Sequence, residues 1–192
     1  MVNSLLALCV IFCLTFATSD AKCGQLLGNG VTKTDENVIV NTHNHLRSLI
    51  SQGKISGQPK AKNLKTLKWD SKLAKEAQKI ANTCEFEHVK VLDDRFLVGQ
   101  NLMWTSSTQA TNKTEWAYAI QSWFSEHKNF IYPNKKRGVT GHYTQVVWAD
   151  TYLVGCGFAW YIQNVGEKNY EKLYVCNYGP AGNFVGEPPY KI

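Results

Sequence analysis

The chain is short of charge. Aspartate, glutamate, lysine and arginine make up 19% of its 192 residues, against about 25% in ordinary globular domains. Hydrophobic residues reach 44%, which excludes wholesale disorder, since disordered chains are poor in apolar residues and heavily charged. No apolar stretch attains the ~20 residues that a membrane-spanning helix needs. Internal repeats and low-complexity tracts are absent, and so is the Cys-x-x-Cys spacing common in structural zinc sites. The formal net charge of +6 is modest. It is gathered into neither a basic stripe nor a nucleic-acid-binding motif, so nucleic acid is set aside as a partner. The length fits one domain or a tight pair.

What is present begins with an address. Leu5 to Phe16 is almost wholly apolar, and Ala17-Thr18-Ser19-Asp20-Ala21 follows with small residues where a signal peptidase reads. Cleavage is expected after Ala21, which makes 1–21 a signal peptide and 22–192 the mature, secreted domain. Of the six cysteines, Cys9 and Cys13 leave with the signal, and Cys23, Cys84, Cys156 and Cys176 remain. An even number in an oxidising compartment reads as two disulfides. Three pairings are open. Cys23–Cys84 with Cys156–Cys176 is preferred, because the second pair would join two neighbouring strand-like runs. Asn112-Lys113-Thr114 is an N-glycosylation sequon in a polar stretch.

Thr34 is the expected cap of a helix from Asp35 to about Ile50, with Ile39, His43, Leu46 and Ile50 on one face. Gly53 to Lys62 reads as a loop. Asp70 begins a second helix that buries Leu73, Ala77, Ile80, Ala81 and Cys84. A third, from about Thr114 to His127, carries Trp116, Ala119, Ile120 and Trp123 on its apolar face, with Glu126 on the same side. His142 to Trp148, Leu153 to Trp160 and Leu173 to Tyr178 then read as strands, the last two joined by a hairpin at Gly166-Glu167-Lys168-Asn169. Helices followed by an antiparallel meander predict an α+β domain with helices packed on a sheet.

Two polar side chains fall where apolar ones are expected, His43 and Glu126, and His142 follows Thr140-Gly141. Histidine is a common ligand for zinc and copper, and a carboxylate can complete or orient such a site. Spacing alone does not bring the three together. His45, two positions from His43, points to another face of its helix. Ser125 has no Gly-x-Ser-x-Gly elbow around it and reads as solvent-facing. Lys135-Lys136-Arg137 is a basic run in a loop, able to meet a sulfated glycan or anionic lipid but most simply a solvated turn. Trp116, Trp123, Trp148 and Trp160 are by default core residues.

Gly141-His142-Tyr143-Thr144-Gln145-Val146-Val147-Trp148 resembles the first signature of the cysteine-rich secretory, antigen 5 and pathogenesis-related (CAP) superfamily. Tyr174-Val175-Cys176-Asn177-Tyr178-Gly179-Pro180-Ala181-Gly182-Asn183-Phe184 resembles the second. His43-Asn44-His45-Leu46-Arg47, Gly99-Gln100-Asn101-Leu102 and Trp123-Phe124-Ser125-Glu126 are similar to its other characteristic blocks. The resemblance runs from Cys23 to the C-terminus. Pro59-Lys60-Ala61-Lys62-Asn63 and Gly155-Cys156-Gly157 look most like the antigen 5 branch of insect venom and saliva.

That resemblance implies a three-layer α-β-α sandwich with an antiparallel sheet between helices, as a single CAP domain over 22–192. It implies a central cleft holding two His and two Glu, carried over here as His43, His142 and Glu126, with Gln100 at the second acid position. Glutamine is neutral and is neither a general base nor an anionic ligand. A mechanism needing two carboxylates is therefore unsupported, and the chain is expected not to be an enzyme. His43 and His142 are the expected site for Zn2+ or Cu2+, weakened as imidazoles protonate near pH ~6.5. Relatives bind sterols, fatty acids or leukotrienes, so a lipid or eicosanoid ligand is expected in an apolar channel, and a host protein or antibody is the expected macromolecular partner. The expectation is a secreted, monomeric, allergen-like binding protein. The alternative is copper- or zinc-dependent superoxide removal at the His pair. A third reading, proteolysis, finds no complete nucleophile set or zinc site in the sequence and is set aside, and a fourth makes His43, Glu126 and His142 a structural network.

Overall fold

Thr32 starts the first helix, α1 (Lys33–Ser51), through a reciprocal capping box: its hydroxyl accepts the Asp35 N–H at 3.1 Å and the Asp35 carboxylate accepts the Thr32 N–H at 3.0 Å. The cap lies two residues before the expected Thr34, because Asp35 three positions on is the partner that closes the box. The buried stripe is Ile39, His43, Leu46, Arg47 and Ile50. Helix α2 (Ser71–Ala81) is capped by Asp70, whose carboxylate accepts the Leu73 N–H at 2.8 Å. Helix α3 (Trp116–Ser125) passes directly into a 3-10 turn, Glu126–Asn129. The computed structural model describes residues 23–163 and 169–192. The cleavage site after Ala21 and residues 166–168 of the expected hairpin link lie outside the described residues.

The sheet is built from β1 (Cys23–Asn29), β3 (Gly99–Ser107), β6 (Leu153–Gln163) and β7 (Tyr170–Gly179), in the antiparallel order β1-β6-β7-β3, with short β2 (Lys68–Trp69) parallel to β6. A separate hairpin pairs β4 (Phe130–Ile131) with β5 (Lys135–Lys136). Strands therefore interleave with helices, and the expected order of helices first and meander last is corrected. Only β6 and β7 are sequence neighbours in the sheet. β1 and β3 find their partners across the chain, which no local pattern announces.

Helices cover both faces. On one side α1, α3 and α4 (Gly141–Val146) enclose Ile39, Leu46, Ile120, Trp123, Tyr143 and Tyr174. On the other, α2 closes over Ala77, Ile80, Leu102, Tyr161, Leu173 and Val175. Helix α2 lies so close to β6 that a Cβ at Gly155 would fall 2.2 Å from the Ala74 nitrogen, and one at Gly157 2.4 Å from Gln78 Cα. Between those glycines, Cys156 points the opposite way and is bonded to Cys176, its direct cross-strand partner, with Cα atoms 4.1 Å apart. Cys23–Cys84 ties β1 to the end of α2. Both preferred pairings are present.

The expected strand at His142–Trp148 is instead the helix α4, and the reason is physical. The apolar–polar alternation there resembles a half-buried strand, yet the polar members are internal. The Thr144 hydroxyl donates to Asn183 Oδ1 at 2.6 Å and lies 3.0 Å from Thr140 O, and Gln145 accepts the Gly182 N–H at 2.9 Å. No solvent face exists for the alternation to mark. Glu126 meanwhile accepts the first N–H groups of the helix, from His142 at 3.0 Å and Tyr143 at 3.2 Å. An anion there satisfies orphan donors and opposes the helix dipole.

Candidate functional site

Helix α4 is held by charge at both ends. Glu126 sits at its N-terminus, and beyond its C-terminus lies Arg47 of α1, which is buried. The Arg47 guanidinium donates to Val146 O at 3.0 Å, Trp148 O at 2.8 Å, Lys65 O at 2.5 and 2.9 Å, and Thr151 O at 3.2 Å. Five contacts to backbone carbonyls replace the hydration that a buried cation gives up. Burial brings its pKa down to about 10, so it remains charged at neutral pH. The two anchors fix where His142 stands.

The His142 imidazole is half-buried and stacks on Trp123, with ring centroids 6.3 Å apart. Its Nδ1 donates to Glu126 Oε1 at 2.6 Å. The carboxylate thus selects the tautomer and turns the Nε2 lone pair outward, as an outer-shell carboxylate does for a ligating histidine.

His43 is different. It is fully buried, its Nδ1 donates to Ile39 O at 2.8 Å, and its Nε2 accepts from the Tyr178 hydroxyl at 2.9 Å. Burial lowers its pKa to about 4, and nearby Arg47 pushes the same way, so the ring is neutral. Burial also holds the Tyr178 phenol protonated far above its usual range, which keeps it a donor. Asn101 completes the chain, with its amide nitrogen 3.3 Å from the Tyr178 oxygen and 3.1 Å from the His142 carbonyl. His43 therefore reaches His142 only through Tyr178 and Asn101.

Gln100 lies next to Asn101 on β3, and adjacent strand residues face opposite sides. Its amide donates to Asn177 Oδ1 at 3.0 Å and to Val89 O at 3.3 Å, and its oxygen accepts from Val89 N at 3.2 Å and His88 Nδ1 at 3.0 Å. Asn177 in turn donates to Leu73 O on α2 at 3.2 Å. The four carried-over residues form two groups: His43, Glu126 and His142 in one network, and Gln100 in another with the exposed His88, Val89 and Asn177.

The expected metal pair does not fit. His43 has no nitrogen free and no solvent path, so His142 contributes a single imidazole, short of the three or four protein ligands usual for zinc. Among the described residues no group of three His, Cys, Asp or Glu side chains is arranged to hold a metal ion. His88, Asn101 and Tyr178 were not singled out from sequence. Asn101 and Tyr178 stand inside recognised motifs, but their hydrogen bonds cross the sheet. His88 sits in an exposed segment of mixed polar and apolar residues after Cys84, where spacing carries no signal. His45 and Ser125 are exposed as expected, and the Ser125 hydroxyl donates to Ser122 O at 2.7 Å. Trp116, Trp123 and Trp148 are buried in the core.

Comparison with known proteins agrees with this fold. A cysteine-rich venom protein of Tityus serrulatus is 39% identical over 190 residues, covering 93% of this chain and 45% of that protein. The chain thus spans under half of that relative's length. The salivary antigen-5 of Dipetalogaster maximus is 39% identical over 204 residues, covering 99% of this chain and 80% of that protein. Among solved structures, Schistosoma mansoni venom allergen-like protein 4 superposes with a TM-score of 0.65 at 32% identity, over 81% of this chain and 93% of that one. BmVAL-1 gives 0.71 at 29% identity, over 88% and 87%. No helix among the described residues is long and apolar enough to cross a membrane. Residues 40–178 match the model of the cysteine-rich secretory protein (CAP) family, and with relatives this similar over nearly its whole length, the chain belongs to that family.

Proposed function

We propose that this is a secreted, non-enzymatic CAP protein of venom or saliva that sequesters a small amphiphilic carboxylate, a fatty acid or eicosanoid, in host fluid. The observation that carries the reading is a groove of about 490 Å³ between α2 and the segment after Cys84. Ile80, Val89, Val91 and Leu92 line it, and Lys79 and Lys90 stand among the same residues. Its size is that of small-molecule sites, which bury an apolar body and orient it by a few polar groups. Lys79 is shared with Glu76 at 2.7 Å, whereas Lys90 has no ion pair among the described residues, leaving a cation for the carboxylate.

The non-enzymatic part rests on the site chemistry. Gln100 is neutral, the Ser125 hydroxyl is engaged by its own helix, and His43 is sealed. The venom and salivary names of its relatives support the extracellular setting, and recognition by host proteins or antibodies follows from that setting. The test is lipid extraction and mass spectrometry of the native protein, together with titration of oleate and eicosanoid carboxylates into the mature chain. Binding that weakens ten-fold or more in Lys90→Glu/Leu92→Asp is expected. No extracted lipid and no binding would remove the reading.

A further inference from the structure

The basic run Lys135-Lys136-Arg137 has a setting that charge alone does not supply. All three residues are exposed, and among the described residues none joins an ion pair. Some exposed lysines elsewhere do, as in Lys33–Glu36, Lys65–Asp150 and Lys79–Glu76, and others, such as Lys90, do not, so the run is set apart by its three adjacent cations and by its place in the fold. The run is ordered by the β4–β5 ladder, in which Phe130 faces Lys136 and Ile131 faces Lys135, and by Arg137 N–H donating to Asn129 O at 2.8 Å. The hairpin is tied to the C-terminal segment, since the Tyr132 hydroxyl donates to Tyr190 O at 2.9 Å and the two rings stack with centroids 5.3 Å apart.

Between hairpin and C-terminal segment runs a cleft of about 330 Å³ with Lys136 on its wall. Asn134 gives it an amide, Thr144 and Asn183 are bonded to one another in its floor at 2.6 Å, and Phe184, 42% exposed, packs with its ring centroid 6.0 Å from that of Trp148 and offers an aromatic surface. Among the described residues Glu187 is its only carboxylate. The Asn134 amide, an exposed aromatic ring for the C–H face of a sugar and unpaired cations beside them form a set that matches one ligand chemistry. We propose that this cleft and the Lys135–Arg137 run dock a sulfated polysaccharide, with a sugar unit against Phe184 and sulfate esters on the three cations. Exposed Phe184 and Val185 beside cations would also meet an anionic bilayer, but the cleft is concave and amide-lined, which favours a ring-shaped polar ligand over a flat surface.

The experiment compares the mature chain on heparin, on chemically desulfated heparin and on phosphatidylserine vesicles, across a salt series. Binding to heparin but not to its desulfated form is expected. K135S/K136S/R137S should weaken it by on the order of ten-fold or more and flatten the slope of log affinity against log salt by about two to three, through the counterions no longer released. Phe184→Ala should weaken binding at unchanged slope. The control K54S/K68S/K75S removes three exposed cations elsewhere, and circular dichroism confirms that each variant is folded. Equal losses in the two triple variants would reduce the effect to net charge and overturn the proposal. So would unchanged heparin binding in K135S/K136S/R137S, or vesicle binding with no preference for heparin.

Discussion

Glu126 and His142 are locked together at two points: Oε1 lies 2.6 Å from the imidazole Nδ1, and Oε2 accepts the His142 backbone N–H at 3.0 Å. One carboxylate thus both orients the ring and starts the helix that carries it. A glutamine in its place would keep the shape but lose the anion, leaving an amide with only one oxygen to serve three donors. Glu126→Gln is expected to lower stability by about 1–3 kcal/mol, read by urea unfolding. Imidazole 15N NMR should show a single His142 tautomer, protonated on Nδ1, in the parent and a mixture in the variant.

His43 makes stability depend on pH. Its folded pKa of about 4 lies below the ordinary value of 6.5, so between these values the unfolded chain binds more protons. Its contribution is therefore complete above pH 6.5 and is lost as pH falls towards 4, to a total of about 3 kcal/mol. Unfolding free energies measured at pH 7, 5.5 and 4.5 should show that decline. In His43→Asn the baseline is lower and this part of the slope disappears, while an identical slope in both proteins would assign it to other groups.

Arg47 is not replaceable by lysine. Its fork reaches four carbonyls on three separate stretches of chain, and a single ammonium on a shorter stem cannot reproduce that geometry. Arg47→Lys should cost about 3 kcal/mol or more, through buried carbonyls left without donors. Hydrogen exchange should show the loss first at Tyr143–Trp148.

The two disulfides are expected to differ in weight. Cys23–Cys84 spans 61 residues and Cys156–Cys176 only 20. The chain-entropy model gives about 4 kcal/mol for the first and about 3 for the second. The second also joins strands already held in register by their ladder. Paired Cys→Ser variants compared by denaturant midpoint should therefore rank the loss of Cys23–Cys84 as the larger.

Zinc or copper titrated into the mature chain should not report on His43. Heats for the parent and His43→Asn are expected to superimpose, whereas His142→Ala removes whatever imidazole binding exists. A signal lost only in His43→Asn would mean that Nε2 leaves Tyr178 to take a metal.

Much of this was legible in the residues. The faces of α1, α2 and α3 were set by apolar spacing, the hairpin of β6 and β7 by two adjacent β-prone runs, and the cysteine pairing by that adjacency. The long strands β1 and β3 escaped, as did the two-residue β2, β4 and β5. β1 and β3 lie at the sheet's outer positions, and their partners come from far along the chain, as Asn101 pairs with Cys176 and Cys23 with Gln163. α4 was misread because its buried Thr144 and Gln145 counterfeit a solvent face.

By itself the sequence determined the class of the fold, the oxidised cysteines and the neutral residue at position 100, since each follows from residue type and local period. Only tertiary structure decided which polar residues act together. It sealed His43 between Ile39 and Tyr178, aimed His142 outward on Glu126, and set Gln100 with His88 on the far face of β3. Those outcomes depend on which strands pair and which helix covers them, because a side chain's free lone pair is decided by its neighbours in space and not by its neighbours in the chain.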